Sequence, residues 1–266
     1  MIMRFGVQTF TIRHAQKKSI RSAYLPLIEL GIKSFEVARI DFNLKNAREL
    51  KSLVDEYGIE ISAIQVKPKY VFGTFNEIVE FCNITGCKRV VISMLPFKCI
   101  LGREDRFYNF VSSLDEIACL YEERGITLAY HHHNWEYIKL SSGKTRMQEL
   151  LSITKRIKFV HDTYWTAGCG IDPAVQIKEF GDRLLGIHLR DLGFKKRGLG
   201  VLKVNSPIGD GVVDFGRVLD AAESVGCSYY VIEQKTDAPY RDIEKSFRYL
   251  ETLKLGVDDK ELLYDE

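Results

Sequence analysis

Short apolar runs rich in β-branched residues alternate along the chain with longer stretches whose apolar positions recur every three to four residues. The runs RFGVQTF (4–10), SFEVA (34–38), IEISAIQV (59–66), RVVISML (89–95), ITLAYHH (126–132), IKFVHD (157–162), LLGIHL (184–189) and YYVIEQ (229–234) predict eight strands. The periodic stretches predict helices over 20–30, 47–57, 76–85, 105–124 and 145–154, a short one from Pro173, and two more over 215–225 and 240–253. The strands are almost continuously apolar, as burial of both faces of a parallel sheet demands. Gly31, Gly58, Gly86, Gly125 and Gly226 each stand just before a strand, where a helix ends in a left-handed residue.

Strict alternation of strand and helix permits a doubly wound sheet or a barrel. Eight units with no GxGxxG after the first strand favour an α/β fold of one domain, a single (β/α)8 TIM barrel over 1–266. The acidic end at about 257–266, VDDKELLYDE, is expected to be peripheral or to pack on a neighbouring subunit of a homo-oligomer.

Composition adds exclusions. A net charge of +2 gives no global electrostatic case for nucleic acid or a membrane surface. The start, MIMRFGVQTFTIR, lacks the apolar run of an export signal, and no apolar run reaches the length of a membrane span. Six cysteines are scattered with no CxxC pair, as structural thiols in a reducing cytoplasm would be.

A barrel carries its chemistry at the C-terminal ends of its strands. Five of the six histidines fall on three successive strand ends: His131, His132 and His133, then His161, then His188. Asp162 closes one apolar strand and Glu233 another, and a carboxylate there needs charge or hydrogen bonds. Asp162, His188 and Glu233 are therefore read as ligands of a divalent ion such as Mn, Co, Mg or Zn. Their alternatives are a loop cap for Asp162, a satisfied core histidine for His188, and a pair with Arg190 or Lys203 for Glu233. Arg190 could hold a substrate oxygen or form a rim salt bridge. Trp165 and Trp135 could wall a sugar face or simply pack. Gln8, Glu36 and Gln65 could line the other half of the pocket, with Arg39 or Lys67 the expected partner of Glu36.

These segments resemble the sugar phosphate isomerase/epimerase family, the xylose-isomerase-like barrels. The likeness lies in LAYHHHNWEY (128–137), HDTYWTAGCGIDP (161–173), GIHLRDL (186–192), GDGVVDF (209–215) and VIEQ (231–234), each short but specific in order and spacing. The resemblance implies a divalent metal held by Glu, Asp, His and Glu from the last four strands. Asp162, His188 and Glu233 match the last three, whereas His131 stands where the first glutamate is expected. That departure resembles the branch with a YHNH-type signature, which includes inosose-dehydratase-like proteins. Glu136, on the following loop, could swing in as the missing carboxylate or contact substrate. His133 could point into the mouth as a base.

The resemblance implies a metal-dependent isomerase or epimerase that moves a proton beside a carbonyl of a sugar or polyol through an enediolate, with Glu233, His133 and Arg190 as its catalytic groups. A lyase acting on a keto-inositol or keto-sugar is the alternative. An endonuclease of the AP-endonuclease barrel type would need more ligands and a basic surface, and a non-catalytic sugar-binding barrel is the remaining option. Without a P-loop or dinucleotide fingerprint, an unphosphorylated substrate is expected.

Overall fold

The computed structural model describes residues 3–198 and 200–255, so the acidic end at 257–266 lies outside the described residues. Eight parallel strands close into a barrel: β1 (Phe5–Gln8), β2 (Ser34–Ala38), β3 (Glu60–Val66), β4 (Arg89–Ile92), β5 (Thr127–His131), β6 (Lys158–Asp162), β7 (Leu184–Leu189) and β10 (Tyr229–Ile232). Around the barrel the order is β1, β10, β7, β6, β5, β4, β3, β2. Helices such as Ile20–Glu29, Leu44–Tyr57 and Pro239–Leu255 pack outside it, each apolar stripe turned to the outward faces of the strands. Among the described residues no helix is long and apolar enough to cross a membrane.

Besides short added helices such as Pro68–Gly73 and Thr163–Gly168, two larger features depart from the expected elements. The helix foreseen over 105–124 is two, Glu104–Ser112 and Leu114–Glu122. At the join, Ser113 turns its hydroxyl onto the Phe110 carbonyl at 2.7 Å, competing with the helical backbone bonds. The second departure is an antiparallel hairpin after β7, made of β8 (Asp191–Arg197) and β9 (Gly200–Ser206). It stands outside the barrel, with Phe194 and Val201 exposed.

Two glycines are required by close approach. Gly186 faces the barrel interior, and a Cβ there would sit 2.3 Å from the Tyr229 ring. Gly211 lies against Asp191, whose carboxylate accepts the backbone N–H groups of Gly209, Gly211 and Val213 at 3.0, 2.8 and 3.1 Å. One side chain thus anchors the whole 209–213 loop beside the hairpin. Asp191→Ala is expected to cost about 3 kcal/mol in denaturant unfolding, since three part-buried N–H groups lose a charged acceptor. A change under about 0.5 kcal/mol, the range of ordinary surface substitutions, would remove that role.

Candidate metal centre

The pleat sorts residues at the strand ends by a period of two. Inside the barrel, Ala63, Val91, Ala129, Val160, Leu185, Tyr229 and Val231 form a small buried plug. Two residues beyond Ala129, Val160 and Val231 stand His131, Asp162 and Glu233, and two beyond Gly186 stands His188. Strand register supplies the common height, since Asp162 pairs with His188 and His188 with Val231. Above the apolar plug the barrel therefore closes on a polar layer.

His131, Asp162, His188 and Glu233 each offer one ligand atom, all within 4.8 Å of one another, and all four residues are buried. His131 Nδ1 donates to the Ser93 carbonyl at 3.2 Å, which leaves the Nε2 lone pair facing Asp162 Oδ2 at 3.4 Å. His188 Nε2 donates to Glu36 Oε1 at 2.8 Å. Its Nδ1 lies 2.8 Å from Glu233 Oε2 but off the line of a hydrogen bond, so this buried nitrogen has no hydrogen-bond partner. Two imidazole nitrogens and two carboxylates converging on one buried point suit a divalent cation, which would displace the proton of His188 on binding. The cluster could hold such an ion.

Glu36 completes the arrangement from across the barrel. It is fully buried and also accepts from the Tyr229 hydroxyl at 2.7 Å. The space left by Gly186 admits the Tyr229 ring, Tyr229 and His188 hold Glu36, and Glu36 fixes the ring of His188. A carboxylate behind a ligating histidine sets its tautomer and orientation. The expectation that Arg39 or Lys67 pairs with Glu36 is thus corrected. Glu36 points inward, whereas Arg39 and Lys67 follow their strands onto the exposed rim.

Arg190 is the cation already present. Its Nη1 reaches Asp162 Oδ2 at 2.8 Å and Glu233 Oε1 at 3.3 Å, and its Nη2 donates to Asn205 Oδ1 of β9 at 2.9 Å. The guanidinium carbon lies 4.9 Å over the Tyr164 ring and 5.5 Å over the Trp165 ring. Burial alone would raise both carboxyls. Arg190 and the histidines outweigh it, holding Asp162 well below the usual carboxylate range and Glu233 down to about 2. Burial alone would lower His188, yet Glu36 and Glu233 raise it to about 10.

The sign of the pH dependence follows. The raised His188 contributes stability that is whole below 6.5 and lost as pH rises through about 10. The lowered Glu233 contributes stability that is whole above 4.5 and lost as pH falls toward about 2. The buried, neutral His132, His133 and His161 contribute stability that is lost as pH falls below 6.5, so the melting temperature of the metal-free protein is expected to peak near pH 6.5 and to fall on both sides. Stability still climbing at pH 10 would contradict this pairing.

Other sequence candidates sort cleanly. His133 lines the cleft above the cluster, its ring 4.8 Å from His131 and 5.3 Å from Trp165. Burial and nearby His131 hold it well below the usual histidine range, so it is neutral, and its Nδ1 has no partner. Trp165 and Tyr164 line the same cleft. Glu136 is not brought to the cluster. Its carboxylate accepts from the Tyr130 hydroxyl, on the outward face of β5, and from the His133 N–H at 2.8 Å. Trp135 is likewise absent from the cleft. The single 3-10 turn Asn134–Tyr137 carries it outward, where it packs against the hydrophobic core. Gln8 and Gln65 bond each other at 3.0 Å. His132 and His161 face outward, and His132 Nε2 accepts the Asp162 N–H at 3.0 Å. Lys203 bonds the Gly168 carbonyl rather than Glu233.

A model of the xylose isomerase-like TIM barrel matches residues 26–253. The chain belongs to the xylose isomerase-like TIM barrel family. An inosose dehydratase of Geobacillus kaustophilus is 22% identical over 187 residues, 62% of this chain and 60% of the relative. The aligned part thus spans less than two-thirds of that relative. A sugar phosphate isomerase/epimerase of Parabacteroides distasonis superposes with a TM-score of 0.75 at 20% identity, covering 94% of each chain. An IOLI protein crystallised with a zinc atom superposes with a TM-score of 0.68 at 15% identity, covering 97% of this chain and 100% of its own. Within the family barrel, Ser93, Asn205 and Tyr229 are the groups not singled out from the sequence, since they act through long-range bonds, whereas Glu36 was named for the pocket but with another partner than His188 and Tyr229.

Proposed function

We propose that this family member is a divalent-metal-dependent enzyme that removes a proton from the carbon beside a carbonyl of a small sugar-like or polyol-derived substrate. The observation that carries the proposal is an ionised carboxylate, Glu233, standing in the cleft and built into the same buried cluster as His131, Asp162 and His188. When bound there, the cation would polarise the substrate carbonyl and make the neighbouring C–H acidic. The two imidazoles favour Mn2+, Co2+ or Zn2+ over Mg2+, and the zinc-bearing structural neighbour is consistent with that choice.

The residues of the chain supply the rest. Glu233 takes the proton; its low basicity suits a substrate already acidified. Arg190 keeps Glu233 ionised and lies within reach of a substrate oxygen. His133, neutral and with Nδ1 unpartnered, moves a second proton at the mouth. Trp165 walls the substrate and excludes water. With His131 in place of a second glutamate, proton transfer from two opposite faces by paired carboxylates is not provided. Glu233, once it has taken the proton beside the carbonyl, can pass it to the departing hydroxyl, so a single base suits elimination of water from a β-hydroxy ketone, in keeping with the dehydratase relative. Aldose–ketose isomerisation, which also uses one base on one face, is the second reading, favoured by the isomerase/epimerase neighbour.

Keto-sugars and inososes incubated in D2O with metal-loaded protein test both. Deuterium at the carbon beside the carbonyl is expected, together with ultraviolet absorbance of an enone for elimination or a new aldose for isomerisation. Absence of exchange across the panel, with metal bound, would sink the proposal.

A further inference from the structure

The chain as a whole is close to neutral, at +2, but its charge is unevenly placed. Twelve lysines and arginines line the cleft above the cluster, against five aspartates and glutamates. Arg190 lies at the cluster, whereas a second group of cations gathers where β1, β2 and β3 end. In the closed barrel β2 lies opposite β6, the strand that carries Asp162. This group therefore faces the metal cluster across the mouth.

Its centre is Arg39, directly after β2, with φ of +61°, the sole described non-glycine residue in the left-handed region. The backbone before it is locked. The Thr9 hydroxyl accepts the Ala38 N–H at 2.8 Å and donates to the Ala38 carbonyl at 3.1 Å, and Gln16 Nε2 donates to the same carbonyl at 2.6 Å. Thr9 and Gln16 are both buried. An unfavourable conformation held by buried bonds is a mark of functional placement. It sets the Arg39 guanidinium 5.3 Å over the Phe10 ring. Arg13 covers the same ring at 4.2 Å and donates to the Phe10 carbonyl at 2.9 Å. Two like charges thus share one aromatic platform, and no carboxylate among the described residues pairs with either. Asp41 lines the cleft nearby without bridging them, and exposed Lys67 adds a further cation after β3.

Two guanidiniums gathered at one aromatic ring, with no carboxylate partner among the described residues, suit an oxyanion, which each can meet with N–H donors. We propose that Arg13 and Arg39, with Lys67 at the rim, bind a phosphate or carboxylate group at the end of the substrate remote from its carbonyl. A phosphate needs no glycine-rich loop when guanidiniums supply the donors, so the site would take an anionic sugar or keto-acid, and only a phosphate there would depart from the expected unphosphorylated substrate. The assignment of the carbonyl end to the cluster rests on the catalytic reading above; the anion site itself does not.

Calorimetric titration of Glu233→Gln protein, its turnover slowed and its metal content measured beforehand, tests this with inorganic phosphate, xylulose 5-phosphate, tagaturonate and neutral xylulose. Xylulose 5-phosphate or tagaturonate is expected to bind at least about tenfold more tightly than xylulose, with the advantage shrinking in high salt. The stronger of the two identifies phosphate or carboxylate as the source. Arg13→Ala and Arg39→Gly, each added to Glu233→Gln, should lose about tenfold in affinity for the charged ligand. Glycine adopts positive φ freely, so Arg39→Gly should melt no lower than its parent, separating lost binding from lost folding. Equal affinity for xylulose and its charged counterparts, or unchanged charged-ligand affinity in both arginine variants, would overturn the anion site. Charge-selective binding without deuterium exchange in the wild type would leave the site standing and remove the catalytic reading. Exchange in neutral xylulose with no charge preference would do the reverse.

Discussion

Glu233→Gln is expected to lower deuterium exchange beside the substrate carbonyl by about 10²–10⁴-fold, the usual worth of a positioned base. The amide preserves the volume of the carboxylate but removes both its negative charge and its ability to take a proton. The fold should survive. Arg190 keeps Asp162 at 2.8 Å and Asn205 at 2.9 Å, and His188 keeps Glu36 at 2.8 Å. Exchange measured by mass spectrometry, with metal content and melting temperature followed in parallel, checks the role. Full exchange in the variant would exclude Glu233 as the base. Loss of exchange in step with loss of metal would make Glu233 a ligand before it is a base.

A second large effect is expected at Glu36, a residue that touches no substrate. Glu36→Gln leaves His188 Nε2 facing a neutral amide that must also serve the Tyr229 hydroxyl, so the ring loses its charged anchor. Metal affinity should fall by about 10–100-fold, the range seen when the partner of a ligating histidine is removed. The metal-free protein should lose much of the alkaline fall in stability, because His188 no longer gains a proton from that pairing. Competition with a chromogenic chelator measures the first effect, and thermal unfolding across pH the second. Unchanged affinity would show that His188 is oriented by packing alone.

How far the sequence carries can be seen residue by residue. The barrel is legible because each strand is a buried apolar run and each helix keeps its 3.6-residue stripe. Both signals are local, and together they leave one closed topology. Asp162, His188 and Glu233 are legible for a related reason. Each sits two residues beyond an interior apolar position, so the pleat alone turns it into the mouth. The pleat stops being a guide where the strand stops. β5 ends at His131, and beyond it only the chain's turn decides which residues face inward. His133 does, whereas Glu136 is taken by Tyr130, six residues earlier on the outer face. The partner of Glu36 could not be read locally at all, since His188 lies 152 residues away and Tyr229 193. The β8–β9 hairpin escaped because, among the described residues, its strands pair only with each other, and most of their side chains are exposed, so no buried apolar run marks them.

Crystals equilibrated with Mn2+ and measured on either side of the manganese absorption edge address the metal centre itself. A single anomalous peak enclosed by His131, Asp162, His188 and Glu233 is predicted, with Arg190 remaining beside the two carboxylates. No peak at that point at saturating metal, or a peak held by other residues such as His132 and His161, would contradict the assignment.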